Sequence, residues 1–300
     1  MASVKRHNAQ NASRNGSGGD KGAKPSTLSP FRYPGGKTRL RPRIIAWLRE
    51  LGWRPKHFVE PFAGGASVAL AVAELDLADE VTLVELDPEV AAVWRAILGP
   101  TYAEFASRVR NFVLTEDSAK EALNQTETDL VSRAFRCLLR NRIQRGGIMA
   151  PGAGFLKRGE DDKGISSRWY PETLAKRIER IHQLRDKITF RKADGLKVLK
   201  SFSKRHQVAA FVDPPYTANG KGAGVRLYRY HEVNSAKLFR VARQFSGPMI
   251  ITYHRSMIVQ RQAEAVEFKC RTVDVRTAHS VKRRELIMFK PGKNGIATSK

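Results

Sequence analysis

Seven short runs of apolar and β-branched residues recur along the chain, and the segments between them carry apolar residues at helical spacing. The runs lie at residues 57–59, 80–86, 187–191, 208–212, 248–252, 268–275 and 285–289. Strands that alternate with helices are typical of a sheet that is covered by helices on both faces. The pattern therefore predicts an α/β fold with seven strands.

The longest interval between strands, from about residue 88 to residue 186, has no convincing strand and is mainly helical by its pattern. Within it, residues 132–145 place arginines between apolar side chains, so that one face of a helix packs and the other is cationic. These arginines are Arg133, Arg136, Arg140, Arg142 and Arg145. Residues 146–168 are rich in glycine, which is typical of an exposed loop or hairpin. We predict that residues 96–186 form a second domain, inserted into an α/β domain of residues 30–95 and 187–292.

The two ends of the chain differ from the rest in composition. Residues 1–29 are rich in Asn, Ser, Gly and Lys, with too few large apolar side chains to offset the entropy of ordering. We predict a disordered basic tail there and a flexible tail at residues 293–300. The chain shows neither an apolar run long enough to span a membrane nor a secretory leader, so we expect a cytoplasmic protein.

The chain is strongly basic, with 54 Lys and Arg residues against 29 Asp and Glu residues and a formal net charge of +25. Such a charge suggests a polyanionic partner, and nucleic acid is the first candidate. Residues 282–284 and the tail from Lys290 are either phosphate contacts or solvated charge. Cys137 and Cys270 lack the spacing of a disulfide framework or zinc site, so we expect no metal. Charge alone leaves open a basic protein without a nucleic-acid role.

A strand, a glycine turn and a helix start follow one another at residues 58–67. Gly64 and Gly65 let a ligand approach the backbone, and ligands of doubly wound sheets bind at the carboxyl ends of the strands. Glu85 and Asp87 follow about 20 residues later, at the end of the next strand, where a carboxylate can accept ribose hydroxyl hydrogens. Without a P-loop or a full GxGxxG, the pattern favours a nucleoside that lacks phosphates, such as S-adenosylmethionine. A purely structural turn is the alternative.

The sequence Asp213-Pro214-Pro215-Tyr216 follows directly on the apolar run 208–212, at the carboxyl end of a buried strand. Its prolines end the strand and stiffen the turn. The amino group of a flipped adenine has two N–H donors, which the Asp213 carboxylate and the Pro214 carbonyl can accept, while Tyr216 can stack on the ring. These contacts turn the nitrogen lone pair toward the methyl group of a sulfonium. The tetrapeptide therefore indicates methylation of an amino group.

These motifs together resemble those of the D12 class of N6-adenine DNA methyltransferases, the family of the Dam methylases. Residues 31–37 (FRYPGGK) resemble the amino-terminal cofactor motif of the family, residues 58–65 its glycine-rich loop, and residues 213–216 its catalytic motif. The motif order matches as well, and the resemblance runs from about residue 31 to 290. It implies a Rossmann-like S-adenosylmethionine-dependent methyltransferase fold with a mixed seven-stranded sheet. It also implies an inserted, mainly helical target-recognition domain and duplex DNA as the partner. We predict that the arginines of residues 132–145, namely Arg133, Arg136, Arg140, Arg142 and Arg145, face this duplex and that residues 146–168 reach toward base edges.

Carried over residue by residue, the resemblance implies that Tyr33 and Lys37 flank the cofactor. The remaining pocket residues that it implies are Glu60, Phe62, Gly64, Gly65, Glu85 and Asp194. Asp194 ends the third strand, where a helix N-cap is an equal alternative. The second acidic position of the family commonly reads Asp-x-Asn, whereas this chain has Glu85-Leu86-Asp87, so Asp87 is an alternative to Glu85 at the ribose. We predict Glu85.

Other acceptors and a second class of function compete with this hypothesis. RNA adenine, cytosine N4 and protein glutamine are alternative acceptors. By the same resemblance, cytosine enzymes tend to carry Ser and glutamine enzymes Asn at the position of Asp213, so Asp favours adenine. The other class is a basic nucleic-acid-binding protein with an inactive methylase fold, against which the completeness of the motifs argues. Thr252, Tyr253 and His254 end the fifth strand on the same rim and are candidates for lining the base pocket.

Overall fold

A computed structural model describes residues 26–32, 37–126, 128–147, 154–159, 162–215, 233–276 and 282–292. In them, seven strands form one sheet of order β3-β2-β1-β4-β5-β7-β6. The strands are β1 (His57–Glu60), β2 (Glu80–Glu85), β3 (Ile188–Lys192), β4 (Val208–Val212), β5 (Met249–His254), β6 (Lys269–Arg276) and β7 (Lys282–Lys290). Strands β1 to β5 pair in parallel, whereas β7 is antiparallel to both β5 and β6. The predicted mixed seven-stranded sheet is confirmed.

Helices cover both faces of this sheet. The helices are α1 (Arg41–Arg49), α2 (Ser67–Glu74), α3 (Pro88–Leu98), α4 (Tyr102–Asn111), α5 (Glu116–Asn124), α6 (Leu130–Ile143), α7 (Pro171–Gln183), α8 (Gly195–Ser201), α9 (Ser235–Gln244) and α10 (Met257–Glu264). Short 3-10 turns lie at Lys37–Arg39, Arg145–Gly147, Gly164–Arg168 and Arg185–Lys187. Within the described part of the chain, no helix is both long and apolar enough to cross a membrane.

The central strands are apolar because both of their faces are covered. All five residues of β4 are buried, as expected for a parallel strand with helices on either side. Successive side chains of β1 point to opposite faces, so Phe58 joins one core cluster and Val59 joins the other. The sheet therefore separates two cores.

The helices of residues 96–186 extend one of these cores. Phe135 of α6 and Ile178 of α7 belong to the same buried cluster as Phe58 of the sheet. Phe112, Phe135 and Trp169 pack edge to face, with ring centroids 4.9 to 6.2 Å apart. The segment is helical as predicted and shares its core with the sheet.

The prediction of a disordered amino-terminal tail is wrong for residues 26–29, the last four of that segment. Leu28 is buried in the core, and the backbone N–H and hydroxyl of Ser26 donate to the Glu74 carboxylate at 2.9 and 2.7 Å. Arg41 donates to the Ser26 carbonyl at 2.8 Å. Leu28 and these polar contacts attach the segment to the fold. Residues 1–25 and 293–300 lie outside the described residues.

The prediction of an exposed loop at residues 146–168 also needs correction. Gln144 and Phe155, on either side of residues 146–154, form an antiparallel bridge, which fits the hairpin that the sequence offered as an alternative to a loop. Ile165 and Ser167 of the following 3-10 turn are buried. The apolar Ile165 joins the core next to α6, which draws this part of the segment inward. Residues 148–153, 160 and 161 lie outside the described residues.

Lys290, expected to be a phosphate contact or solvated charge, instead lies inside the protein. Its side chain is 6% exposed, and its ammonium donates to the carbonyls of Ala242, Arg243 and Phe245 at 2.6, 3.2 and 3.0 Å. These carbonyls lie at the end of α9, where backbone acceptors have no partner within the helix. The lysine thus joins the last residue of β7 to the carboxyl end of a helix.

We expect Lys290→Met to lower the free energy of unfolding by roughly 2 to 4 kcal/mol, because buried carbonyls lose a charged donor. The measurement is urea unfolding followed by circular dichroism. Lys200→Met is the matched control, since Lys200 is exposed, and its effect should stay within about 0.5 kcal/mol. Equal unfolding midpoints for the two variants would contradict the role assigned to Lys290.

Candidate active site

The strand order reverses between β1 and β4, and this reversal defines the site. Parallel strands end at the same rim of the sheet, and ligands of doubly wound folds bind in the crevice at such a reversal. Glu60 is the last residue of β1, Glu85 the last residue of β2, and Asp213 directly follows β4. Three carboxylates predicted from the sequence therefore lie along one rim.

The Asp213 carboxylate is held on both of its oxygens. The Thr252 hydroxyl of β5 donates to Oδ1 at 2.7 Å, and the Lys37 ammonium lies 3.0 Å from Oδ2. Lys37 Nζ also lies 3.7 Å from Glu285 Oε1 of β7. The Lys37 side chain is 5% exposed and the Asp213 side chain 22%, so this is a largely desolvated ion pair. Pro214 and Pro215 follow Asp213, whereas Tyr216 lies outside the described residues.

Glu60 is buried beside this pair. Its Oε2 accepts a hydrogen bond from the backbone N–H of Ala69 in α2 at 2.8 Å. Burial raises the pKa of Glu60 well above its usual range, and the negative charge of Asp213 adds to the rise, while the bond from Ala69 opposes it. Burial and the neighbouring Asp213 thus both disfavour the charged form of Glu60 relative to a carboxyl in water.

The glycine-rich turn is tied to the end of β2. Gly64 has a φ of +46°, a left-handed conformation that favours glycine, and its N–H donates to Glu85 Oε2 at 3.0 Å. The Trp94 indole of α3 donates to the Gly64 carbonyl at 3.0 Å. Gly65 continues the turn, and Phe62 packs against the second core cluster. The predicted turn residues and Glu85 are thus brought together.

Of the two acids at the end of β2, Asp87 caps a helix, whereas Glu85 contacts the glycine-rich turn. The Asp87 carboxylate caps α3 by accepting from the Glu89 N–H at 2.8 Å. Glu85 Oε1 accepts from the N–H groups of Leu86 and Asp87 at 2.8 and 2.9 Å. Burial raises the pKa of Glu85 to about 6, although these hydrogen bonds oppose the rise. Glu85 thus stands at the rim with one oxygen less engaged than the other.

Asp194, for which a cofactor contact and a helix N-cap were equal alternatives, is an N-cap in the structure. Its Oδ1 accepts from the backbone N–H groups of Leu196 and Lys197 at 2.8 and 3.2 Å, at the start of α8. The helix begins at Gly195, where a Cβ would lie 2.0 Å from the Pro61 carbonyl oxygen. Asp194 therefore caps α8, and Gly195 lets the start of this helix lie against the turn after β1.

The backbone that leads into residues 33–37 is anchored by α6. The Asn141 side chain accepts from the Arg32 N–H at 2.8 Å and donates to the carbonyls of Arg32 and Gly147 at 2.9 and 3.1 Å. The Arg142 guanidinium donates to the Pro30 carbonyl at 3.0 Å. Tyr33 lies outside the described residues, but the segment before it is fixed by the inserted helices.

A sequence model of the family described as D12 class N6 adenine-specific DNA methyltransferase matches residues 33–278. The chain belongs to the D12 class of N6 adenine-specific DNA methyltransferases. It is therefore a methyltransferase that acts on adenine in DNA. No curated protein matches this methyltransferase significantly by sequence.

Two solved structures illustrate what this D12 methyltransferase is similar to in shape. One is the rRNA methyltransferase aviRa from Streptomyces viridochromogenes, with 14% identity, a TM-score of 0.42, and coverage of 88% of this chain and 90% of the other. The other is human methyltransferase-like protein 13 in complex with SAH, with 12% identity, a TM-score of 0.39, and coverage of 87% and 85%. Both TM-scores are below 0.5, so neither structure bears on the substrate of the D12 methyltransferase.

The arginines of α6 in this D12 methyltransferase do not all face outward. The Arg133 side chain is 40% exposed and lies 3.9 Å from Glu89, Arg136 and Arg140 are partly buried, and Arg145 is exposed. Arg142 is 3% exposed, and burial, together with the charges of neighbouring arginines, lowers its pKa to about 9. The prediction that Arg142 faces the duplex is wrong, because its position on the helix turns the guanidinium inward to Pro30.

The roles of Glu285 and Asn141, and the contact between Thr252 and Asp213, were not predicted from the sequence of this D12 methyltransferase. Glu285, Asn141 and Thr252 are polar side chains at positions where the pattern calls for apolar ones. Asn141 lies on the packed face of α6, and Glu285 lies on β7 next to buried Leu286. Such polar exceptions were the available signal. Among the described residues, no group of three or more metal-binding side chains occurs.

We expect Arg142→Met to lower the free energy of unfolding by about 1 to 3 kcal/mol, because the buried Pro30 carbonyl loses its donor. Arg140→Met on the same helix is the control, and its effect should stay within about 0.5 kcal/mol. Urea unfolding measures both variants. If Arg142→Met were as stable as the parent protein, the guanidinium would not anchor residue 30.

Proposed function

We propose that this DNA methyltransferase binds S-adenosylmethionine at the carboxyl ends of β1 and β2 and methylates N6 of an adenine flipped out of duplex DNA. One observation carries the proposal. The Asp213 carboxylate is fixed by Thr252 and Lys37 at the rim of the sheet, beside the reversal of strand order. A fixed acceptor at that place matches the need of an extrahelical amino group with two N–H donors.

The residues at the end of β2 fit a nucleoside cofactor. Glu85 Oε2 accepts one backbone hydrogen bond, so a second lone pair remains for a ribose hydroxyl. The left-handed Gly64 allows a close approach of a ligand to the backbone. We assign Glu60, Phe62 and Gly65 to the same pocket, with Tyr33 from the amino-terminal motif. S-adenosylmethionine, when bound, supplies a methyl group on a positively charged sulfur.

Asp213 and the Pro214 carbonyl accept the two amino hydrogens of adenine in this proposal. Drawing these hydrogens toward fixed acceptors reduces the overlap of the nitrogen lone pair with the ring and directs it at the incoming methyl group. Tyr216 stacks on the flipped base. Formation of the N6–C bond would be accompanied by cleavage of the sulfur–methyl bond of the cofactor, which would leave as a neutral thioether, and N6 would then lose a proton to Asp213 or to solvent. Lys37 balances the charge of Asp213 and is assigned here to the carboxylate more directly than to the cofactor.

We also propose that residues 96–186 recognise the DNA. The net charge of +25 supports phosphate contacts, and Arg133, Arg136, Arg140 and Arg145 are the candidates on and after α6. Residues 146–168 are the candidates for contacts with base edges, since phosphate contacts position a protein and base contacts specify the sequence. Arg142 is excluded from this set because it anchors Pro30.

We expect Asp213→Ala to reduce methyl transfer at least about 100-fold, because an amino-group acceptor in the transition state is lost. Cofactor affinity, measured by calorimetry, should change less than about threefold, since the carboxylate meets the base.

To measure methyl transfer, labelled S-adenosylmethionine is incubated with duplex DNA or RNA, and the digested nucleosides are identified. N6-methyladenine should form in DNA. Equal losses of transfer and cofactor affinity would place Asp213 in the cofactor pocket instead.

Cofactor affinity should decline as the pH falls below about 6, the value to which burial raises the pKa of Glu85. Above this pH the carboxylate is ionised and accepts a ribose hydrogen, whereas below it a proton occupies the acceptor. Calorimetry between about pH 5 and pH 8 measures the trend. Glu85→Gln should bind roughly 10- to 100-fold more weakly and show a flatter profile. An unchanged affinity in Glu85→Gln would instead make Asp87 the candidate for the ribose.

A further inference from the structure

Thr252 is a polar residue inside an apolar strand, and its position follows from the strand register. Val212 of β4 pairs with Ile251 of β5, so the next residues, Asp213 and Thr252, lie side by side at the rim. Thr252 is fully buried, with an exposed fraction of 0%. A buried hydroxyl needs a hydrogen-bond partner, and this one donates to Asp213 Oδ1 at 2.7 Å.

The two oxygens of Asp213 receive donors from two different parts of the chain. Thr252 of the neighbouring strand engages Oδ1, while Lys37 of the amino-terminal segment engages Oδ2 at 3.0 Å. Lys37 is in turn near Glu285 at 3.7 Å. A rotation of the carboxylate about its Cβ–Cγ bond would lengthen both contacts. Each oxygen of the carboxylate is therefore engaged by a separate donor.

We infer that Thr252 is a positioning residue for methyl transfer, which sets the orientation in which Asp213 accepts the amino hydrogen of adenine. The inference rests on the proposed role of Asp213. It assigns no contact with the base to Thr252, since the hydroxyl hydrogen is committed to Oδ1. Its effect is transmitted through the direction of the remaining lone pairs on the carboxylate.

Lys37 alone does not replace this function. An ammonium group is a compact charge on a flexible stem, and it attracts a carboxylate without fixing its plane. The Thr252 hydroxyl is carried by a β-branched side chain on a strand, where rotation about χ1 is restricted. The structure thus combines one donor that supplies charge with another that supplies direction. Loss of the second should affect the chemical step more than the binding of either substrate.

The experiment compares Thr252→Val with Thr252→Ser in the full-length enzyme, using duplex DNA and S-adenosylmethionine. Valine keeps the branched shape and removes the hydroxyl, whereas serine keeps the hydroxyl. We expect Thr252→Val to lower kcat about 10- to 100-fold, the equivalent of one hydrogen bond to a charged group. The KM for DNA and the affinity for the cofactor should change less than about threefold. Thr252→Ser should retain kcat within about threefold.

A merely structural role would give a different pattern. If Thr252→Val keeps the parent kcat, or if Thr252→Ser is as slow as Thr252→Val, the inference is overturned. If Thr252→Val does not fold, the pair Thr252→Ser and Thr252→Ala decides, because the two variants differ only in the hydroxyl. A kcat for Thr252→Ala within threefold of that for Thr252→Ser would then refute the inference.

Asp213→Ala, measured in the same assay, separates this inference from the proposed function. If Asp213→Ala still transfers methyl groups at the parent rate, the role of Asp213 is wrong, and the inference is overturned with it. If Asp213→Ala is inactive and Thr252→Val is fully active, only the positioning role of Thr252 fails.

Discussion

The rim of the sheet concentrates negative charge, and among the described residues the buried Lys37 compensates part of it. Desolvated carboxylates are costly unless a cation or hydrogen bonds compensate them. Lys37 lies against both Asp213 and Glu285, while burial and the charge of Asp213 raise the pKa of Glu60 nearby. The amino-terminal segment that carries Lys37 is therefore part of this arrangement at the strand ends. Leu28 and Phe31, both in the core, attach this segment to the fold.

The fold was largely predictable because its main signal is repeated and local. Buried parallel strands such as β4 are apolar throughout, so each strand was visible in the sequence within a few residues. The alternation of strands and helices then left few possible architectures. Residues 26–29 and 146–168 were less predictable. In their described parts, single side chains such as Leu28 and Ile165 join a core assembled from distant segments.

The site was predictable where a residue type and a strand end coincide, as at Asp213 and Glu85. The contacts between Lys37 and Asp213 and between Asp87 and α3 were not predictable, because a motif assigns a residue to a ligand and does not specify its neighbours in the protein. The position of Arg142 was not predictable either. The helical periodicity assigns Arg142 to the solvent-facing side of α6, yet its guanidinium points inward and donates to the Pro30 carbonyl.

The Asn141 amide has consequences for how this enzyme can be altered or can diverge. It joins Arg32, next to residues 33–37, to Gly147, at the start of the segment proposed to read bases. A Cβ at Gly147 would lie 2.1 Å from the Arg32 carbonyl oxygen, so the two backbones are in direct contact. A recognition segment from another protein therefore cannot be exchanged as an independent cassette. A functional graft has to begin after Gly147, or it has to carry its own equivalents of Asn141 and this glycine.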